Sequence, residues 1–183
     1  MYWRPPRRTG YRSRRMPQAD SRLQIRPVDP SEVSVLARLW YDGWQDAHAT
    51  IVPAELARRR TLPRFEERLR AALPNVRTLG PIGAPLGFAM LKDDELYQLY
   101  VSAQARGTGA ASILMADAEN RLAASGVKIA WLGCAIGNRR AARFYEKSGW
   151  HLARTEVEHL ETPEGPFPLE LWRYEKRLAA ADT

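Results

Sequence analysis

Hydrophobic and polar positions along the chain follow two different periods. Apolar residues recur every three or four positions in four segments, which predicts helices over residues 31–45, about 53–73, 109–125 and 138–148. Shorter apolar runs bounded by turn-forming residues predict strands at about 23–28, 76–79, 86–91, 95–101, 128–134, 150–159 and 167–177. Pro63 is a candidate break within the second helical segment. The order β-α-α-β-β-β-α-β-α-β-β predicts an α/β (α+β) fold with helices flanking a mixed, mostly antiparallel sheet.

The start of the chain differs from the rest in charge. Of the formal net charge of +7 on 183 residues, six charges come from arginines that precede Asp20, the first acidic residue. These residues also include prolines and lack apolar periodicity, so we predict a disordered basic tail over 1–20 and one domain over 21–179. A solvated tail is the simplest interpretation, and nonspecific binding of RNA or anionic surfaces is the alternative. Because the remaining chain is nearly neutral, nucleic acid is not expected as its main partner.

Three further features argue against a disulfide, a membrane span and a metal site. The single cysteine, Cys134, cannot form an internal disulfide and lies in an apolar run, which predicts a core residue in a reducing, cytoplasmic protein. No stretch approaches the roughly 18 apolar residues that a membrane span needs, so we expect a soluble protein. The three histidines, His48, His151 and His159, lack ligand spacing with cysteine or carboxylates, so no metal site is predicted.

The segment between the strand 95–101 and the helix 109–125 is the most informative. It carries Arg106 and two glycines, Gly107 and Gly109, directly before the helix. Glycines allow a tight turn that aims backbone amides at one point beside the positive helix end, and Arg106 adds a guanidinium, which together suit a phosphate or pyrophosphate. A dinucleotide-binding loop would need a third glycine at Ser112, and the Gly-Lys-Ser/Thr of a Walker loop is absent. A turn that only caps the helix is the alternative.

Two blocks of the chain resemble the GNAT (GCN5-related N-acetyltransferase) superfamily. Arg106-x-x-Gly109-x-Ala111 is similar to the acyl-CoA signature Arg/Gln-x-x-Gly-x-Gly/Ala of that family. Residues 138–150 are similar to its Asn-x-x-Ala-x-x-x-Tyr-x-x-x-Gly-Phe block, with Trp150 in place of phenylalanine. The resemblance, strong over about 87–152, implies the GNAT fold and an acyltransferase that passes an acyl group, most simply acetyl, from acetyl-CoA to an amine.

The resemblance also implies where acetyl-CoA binds. The pantetheine arm would lie between strands that end near Val101 and Cys134, held by backbone groups of Leu99 and Val101. The glycine turn and the helix start would bind the pyrophosphate through Arg106, Gly107, Thr108, Gly109, Ala110, Ala111 and Ser112. Asn138 and Tyr145 fall on one face of their helix and could address the same ligand.

Tyr145 and Glu95 are the candidate catalytic residues. Tyr145 is the position that the family uses to protonate the departing thiolate, and a phenol pKa of about 10 roughly matches a thiol of about 8.5. Packing against the sheet is its alternative role. Glu95, at a strand start where family members often carry a carboxylate, is the leading base for the amine, although an exposed acid beside Asp93 and Asp94 is an equal alternative. His48, in the predicted loop between the first helices, is a second candidate base, although an exposed loop histidine is the simpler expectation.

The acceptor stays open at this point. The leading hypothesis is direct attack by a primary amine in a ternary complex, with a backbone amide near Val101 facing the oxyanion. The amine could belong to a small molecule or to a protein, and a noncatalytic acyl-CoA sensor of the same fold is the alternative function. Trp40, Trp44 and Trp172 could line an acceptor pocket, although such aromatic residues usually belong to the core. A homodimer is plausible from the resemblance alone.

Overall fold

The structure, a computed structural model, describes residues 23–179, so the predicted basic tail and its contacts lie outside the described residues. The helices are α1 (Val33–His48), α2 (Ala54–Arg59), α3 (Leu62–Ala72), α4 (Ala110–Ala124) and α5 (Arg139–Lys147). The strands are β1 (Ile25–Pro27), β2 (Val76–Leu79), β3 (Gly87–Lys92), β4 (Glu95–Val101), β5 (Ile129–Ala135), β6 (His151–Leu160) and β7 (Phe167–Arg177). Every predicted helix and strand has a counterpart in this set.

Two element boundaries differ from the predictions. The second helical segment is two helices, and the break at Arg60 and Thr61 precedes Pro63 rather than occurring at it. Proline in the first turn of α3 loses no intrahelical hydrogen bond, so it starts the helix instead of dividing one. The loop predicted around His48 is wrong, because α1 continues through that residue.

The seven strands form one sheet in the order β1-β2-β3-β4-β5-β7-β6. All neighbours are antiparallel except β4 and β5, so the predicted mixed, mostly antiparallel sheet is confirmed. The parallel pair is in register only at Glu95 and Trp131. Beyond this point the two strands diverge, and the backbone groups on their facing edges have no ladder partner.

Helices cover both faces of the sheet. Phe88 and Met90 of β3 pack in one core cluster with residues of α1 and α3, whereas Ala89 packs in another cluster with residues of α4. Successive strand residues point to opposite faces, so the two clusters lie on opposite sides of the sheet. Within residues 23–179, no helix combines the length and apolar character that a bilayer crossing requires.

Candidate active site

A cavity of about 420 Å³ opens where β4 and β5 diverge. Its wall is formed by β4 and β5 together with the ends of α1 and α2, the turn before α4 and the first two turns of α5. The predicted site residues that line it are Glu95, Leu99, Val101, Arg106, Gly107, Ala111, Asn138 and Tyr145. The divergence of one parallel strand pair therefore brings residues from two separate sequence blocks to a single cavity.

The glycine turn presents free backbone amides at the edge of this cavity. Gly107 and Gly109 have φ of 77° and 89°, a backbone region that glycine adopts readily. Gly109 is the N-cap of α4 without a side-chain cap, so the first amides of the helix lack intrahelical partners. Thr108, Gly109 and Ser112 are exposed just outside the cavity wall, whereas Ala110 is buried in the core. The turn thus presents unpaired backbone donors on a side that is open to solvent.

Asp46 joins two arginines beside the glycine turn. Its Oδ2 accepts hydrogen bonds from Nη2 of Arg106 at 2.8 Å and from Nη2 of Arg140 at 2.7 Å. The guanidinium of Arg140, followed by that of Arg106, lowers the pKa of the Asp46 carboxyl. Arg140 and Asp46 were missed by sequence reasoning, because the residues of this pair lie 94 positions apart. The carboxylate thus links Arg106 of the glycine turn to Arg140 at the start of α5.

Asn138 and Tyr145 project from α5 toward the cavity. Asn138 is the N-cap of this helix, since its Oδ1 accepts a hydrogen bond from the Ala141 amide at 3.2 Å. The Tyr145 ring lies 5.8 Å from the rings of Phe144 and Tyr174, and burial raises the pKa of its phenol well above the ordinary value. The match expected between the phenol and thiol pKa values therefore does not hold. Burial thus favours the protonated phenol of Tyr145 over its phenolate.

Glu95 is a half-buried carboxyl at the opposite end of β4 from the glycine turn. Burial raises its pKa to about 8, with smaller contributions in the same direction from Glu158 and Asp94. Lys92 and Arg173 partly oppose this shift. The alternative of an exposed strand-start acid is wrong, since Glu95 faces the cavity while Asp94 is exposed. A carboxyl with this pKa exchanges its proton near neutral pH.

His48 lies in the last turn of α1 and lines the same cavity. Its ring stacks on Trp44 at 5.4 Å, and its Nδ1 lies 3.2 Å from the Trp44 carbonyl oxygen, which favours the tautomer with the proton on Nδ1. Burial lowers its pKa, so the ring is neutral and Nε2 is free to accept a proton. The expectation of an exposed loop histidine is wrong.

The other predicted aromatic and thiol residues divide between core and cavity. Trp40 is fully buried between the helices and the sheet, and Trp172 packs against the second core cluster. Only Trp44 of the three tryptophans lines the cavity. Cys134 is 3% exposed, and burial raises the pKa of its thiol to about 12. Its predicted place in the core is confirmed, and as a protonated thiol it is unsuited to nucleophilic attack.

The comparisons with known proteins agree with this geometry. The Acetyltransferase (GNAT) family profile matches residues 37–150, which is more than half of the chain. The chain belongs to this family. Uncharacterised N-acetyltransferases of Mycobacterium tuberculosis and Mycobacterium bovis are 36% identical to it over 99 residues, 51% of this chain and 64% of theirs. The chain thus matches less than two thirds of the length of these curated relatives.

Solved structures confirm the GNAT fold. A GCN5-related N-acetyltransferase from Rhodopseudomonas palustris superposes with a TM-score of 0.68 at 22% identity, covering 88% of this chain and 99% of the other. The PaiA N-acetyltransferase of Thermoplasma acidophilum, solved with coenzyme A, gives 0.65 at 17% identity, covering 85% and 98%. YncA of Salmonella typhimurium, solved with acetyl-CoA, gives 0.63 at 16% identity, covering 88% and 98%. At these identities the likeness concerns the fold.

The GNAT domain also carries two cavity arginines that sequence reasoning missed. Arg60, directly after α2, and Arg68, in α3, line the cavity, yet in the sequence they look like ordinary members of an arginine-rich helical segment. Their partners, Tyr97 for Arg68 and Glu161 for Arg60, are distant in sequence, so no local signal could have identified them. Within residues 23–179, no group of three or more histidine, cysteine or acidic side chains is arranged to hold a metal ion.

Proposed function

We propose that this GNAT domain transfers an acetyl group from acetyl-CoA to a primary amine by direct attack in a ternary complex. The observation that carries the proposal is the divergence of β4 and β5 beyond the Glu95–Trp131 pair. Backbone groups of Leu99 and Val101 along this opening can bind the amide groups of the pantetheine arm. The relatives named above that contain coenzyme A or acetyl-CoA support this choice of donor.

The pyrophosphate of the donor would bind at the glycine turn. Phosphate oxygens accept strong hydrogen bonds from unpaired amides at a helix start and from guanidinium groups. Both occur here, as the uncapped first turn of α4 and as Arg106 and Arg140. Asp46 would give up part of its hydrogen bonding to the incoming anion while keeping the two side chains in place.

The chain's own residues account for each proton in the transfer. Glu95 takes a proton from the acceptor ammonium, which leaves a free amine to attack the thioester carbonyl. A backbone amide along β4, on the Glu95 side of Val101, stabilises the charge on the carbonyl oxygen. Tyr145 then gives its phenolic proton to the sulfur as the carbon–sulfur bond breaks. The raised pKa of Tyr145 means that this proton moves only once charge has developed on the sulfur. The nitrogen, which still carries two protons after attack, loses one of them to the phenolate, which restores Tyr145, and Glu95 releases its proton to solvent.

Glu95 is preferred over His48 as the base. The acceptor ammonium has a pKa near 10. A base takes its proton more readily when the pKa of the base is closer to that value. Burial raises the pKa of Glu95 to about 8 but lowers that of His48 below its ordinary value. His48 is therefore the weaker base of the two.

Replacing Tyr145 by phenylalanine tests the function. We expect turnover with a reactive amine to fall roughly 100-fold, since general acids contribute about 10²- to 10⁴-fold and a thiolate is a fairly good leaving group. The affinity for acetyl-CoA, measured by calorimetry, should change by less than about threefold because the phenyl ring keeps its packing. The assay follows release of free CoA with a panel of primary amines.

The outcomes separate an enzyme from a sensor. A well-folded wild-type protein that binds acetyl-CoA but releases no CoA with any amine would support the noncatalytic alternative. Failure to bind acetyl-CoA would contradict both functions. Phe144→Leu is the matched control, because it changes the neighbouring ring on α5 while leaving the Tyr145 hydroxyl in place.

Two expectations remain predictions. A homodimer, implied by the family resemblance, would appear in light scattering as a mass of twice 20.8 kDa. A monomer at micromolar concentration would contradict it. A cytoplasmic location is expected from the unpaired Cys134 and would be tested by cell fractionation.

A further inference from the structure

Arg60 is a buried cation without a carboxylate partner. Its side chain is only 6% exposed, and in residues 23–179 it makes a single hydrogen bond, from Nη1 to the Glu161 carbonyl oxygen at 3.3 Å. Its Nε is buried with no acceptor in the described chain. Other poorly exposed arginines are paired: Arg26 lies 2.6 Å from Glu32, and Arg173 lies between two glutamates. Buried charges normally have such partners, so the isolation of Arg60 requires an explanation.

Arg68 places a second guanidinium in the same part of the cavity. Its Nη2 donates a hydrogen bond to the hydroxyl of Tyr97, and its guanidinium carbon lies 4.6 Å from the centre of the Trp40 ring. No salt bridge joins it to a described residue. Burial followed by the charge of Arg68 lowers the pKa of Arg60 to about 10. Both guanidinium groups line the cavity, and neither forms a salt bridge with a carboxylate of residues 23–179, which favours binding of an anion between them.

This pair is separate from the arginines at the glycine turn. Arg68 contacts Tyr97, two residues from Glu95, whereas Arg106 follows the far end of β4. At about 3.3 Å per residue, the six-residue rise of β4 places Glu95 roughly 20 Å from Val101. Arg60 and Arg68 therefore lie on the side of the cavity where the proposed base is, and where an acceptor would enter.

We propose that Arg60 and Arg68 bind a carboxylate carried by the acceptor, so that the acetylated amine belongs to the amino-acid class. This inference rests on the proposed function, because it names the acceptor for the same cavity. Guanidinium groups bind carboxylates through paired hydrogen bonds, and the Arg60 guanidinium, which lines the cavity, donates only from Nη1 among the described residues. The anion would fix the acceptor while its amine faces Glu95.

Desolvation favours a carboxylate over a phosphate ester. Moving a charged group from water into a largely apolar cavity costs free energy, and a phosphate monoester, with a charge near −2 at pH 7, loses more hydration than a singly charged carboxylate. The remaining wall is largely apolar, including Leu56 and Leu160, which suits an acceptor with a hydrocarbon side chain.

The test compares amino acids with their decarboxylated amines as acceptors for the full-length protein. Phenylalanine with phenethylamine and leucine with isoamylamine are the first pairs, and an aminoalkyl phosphate is the third arm. We expect kcat/KM for the carboxylate-bearing acceptor to be at least tenfold higher. Arg60→Gln should remove this preference by raising KM, with little change in the rate for the decarboxylated amine. Equal rates for both members of each pair, or preference for the phosphate, would overturn the proposal.

A binding measurement separates failure of this inference from failure of the proposed function. Amino acids titrated into the protein saturated with CoA should bind, and binding should weaken at least tenfold in both Arg60→Gln and Arg68→Gln. Such binding without any acetyl transfer would preserve the carboxylate site and contradict the function. Arg59→Gln is the control, because Arg59 contacts Thr162 of the same β6–β7 turn from outside the cavity. A merely structural Arg60 would lower thermal stability without changing the preference between acceptors.

Discussion

Replacing Gly109 by aspartate together with Arg106 by glutamate should raise the Kd for acetyl-CoA by more than about 100-fold. An aspartate at the N-cap of α4 would accept hydrogen bonds from the amides that the pyrophosphate needs, and it would add a negative charge at the same point. The glutamate removes a guanidinium donor. Loss of two charge-assisted hydrogen bonds of about 1.5–3 kcal/mol each accounts for at least this change, since 1.4 kcal/mol corresponds to tenfold.

The double variant should still fold. A side chain built at Gly109 meets no atom within 4 Å, so only the positive φ of 89° opposes it. That strain amounts to roughly 1–2 kcal/mol, and the new cap offsets part of it. Calorimetric titration with acetyl-CoA, alongside circular dichroism of the same sample, measures both quantities.

The matched control is Gly126→Asp with Arg58→Glu. Gly126 also has a positive φ, of 91°, and open space around it, but it follows the other end of α4. Arg58 is exposed on α2. This control changes charge and backbone strain to the same extent and should keep micromolar affinity. Equal affinity of the two double variants would rule out the glycine turn as the phosphate site.

Local patterns predicted the parts of the site that depend on local geometry. The glycines at 107 and 109 and the periodic helix after them place the turn where the structure has it, since each feature involves only neighbouring residues. The end of α1 was misplaced because no glycine or proline follows His48 directly, so the helix continues on tertiary packing. The loop assignment of His48 failed for that reason.

Groups that act across the fold could not be predicted. Asp46 meets Arg140 from a helix 94 residues away, and Arg60 becomes buried only when the β6–β7 turn covers it. The ionisation of Glu95 and Tyr145 follows from burial by several elements at once. Sequence motifs therefore predicted residues most of which line one cavity, whereas their charge states required the assembled structure.

Glu95→Gln should lower kcat/KM by about 100-fold or more and change its dependence on pH. With a pKa of about 8, Glu95 is protonated at low pH and cannot accept the ammonium proton, so wild-type activity should be lost as pH falls through about 8. The glutamine variant should lack this step and keep only the dependence that the acceptor amine imposes near pH 10. Profiles of kcat/KM from pH 6 to 10 make the comparison.

Asp93→Asn is the control for the pH profile. Asp93 is an exposed neighbour with a φ of 52°, a conformation that asparagine tolerates, so the variant removes a nearby carboxylate with little strain. Its profile should match that of the wild type. A step near pH 8 that survives in Glu95→Gln would exclude Glu95 as the base and direct attention to His48.

The raised pKa of Glu95 should also make the stability of the folded protein fall as pH rises. The folded state binds the Glu95 proton more tightly than the unfolded state does. The protonated carboxyl therefore contributes fully to the free energy of unfolding below about pH 4.5, and this contribution is lost as pH rises through about 8. Glu95→Gln should therefore unfold at a higher temperature than the wild type at pH 9 and at a similar temperature at pH 5. Each pKa unit corresponds to about 1.4 kcal/mol, so the difference at pH 9 should reach a few kcal/mol. A variant that gains stability at alkaline pH while losing activity would show that the fold keeps this carboxyl buried for its chemistry.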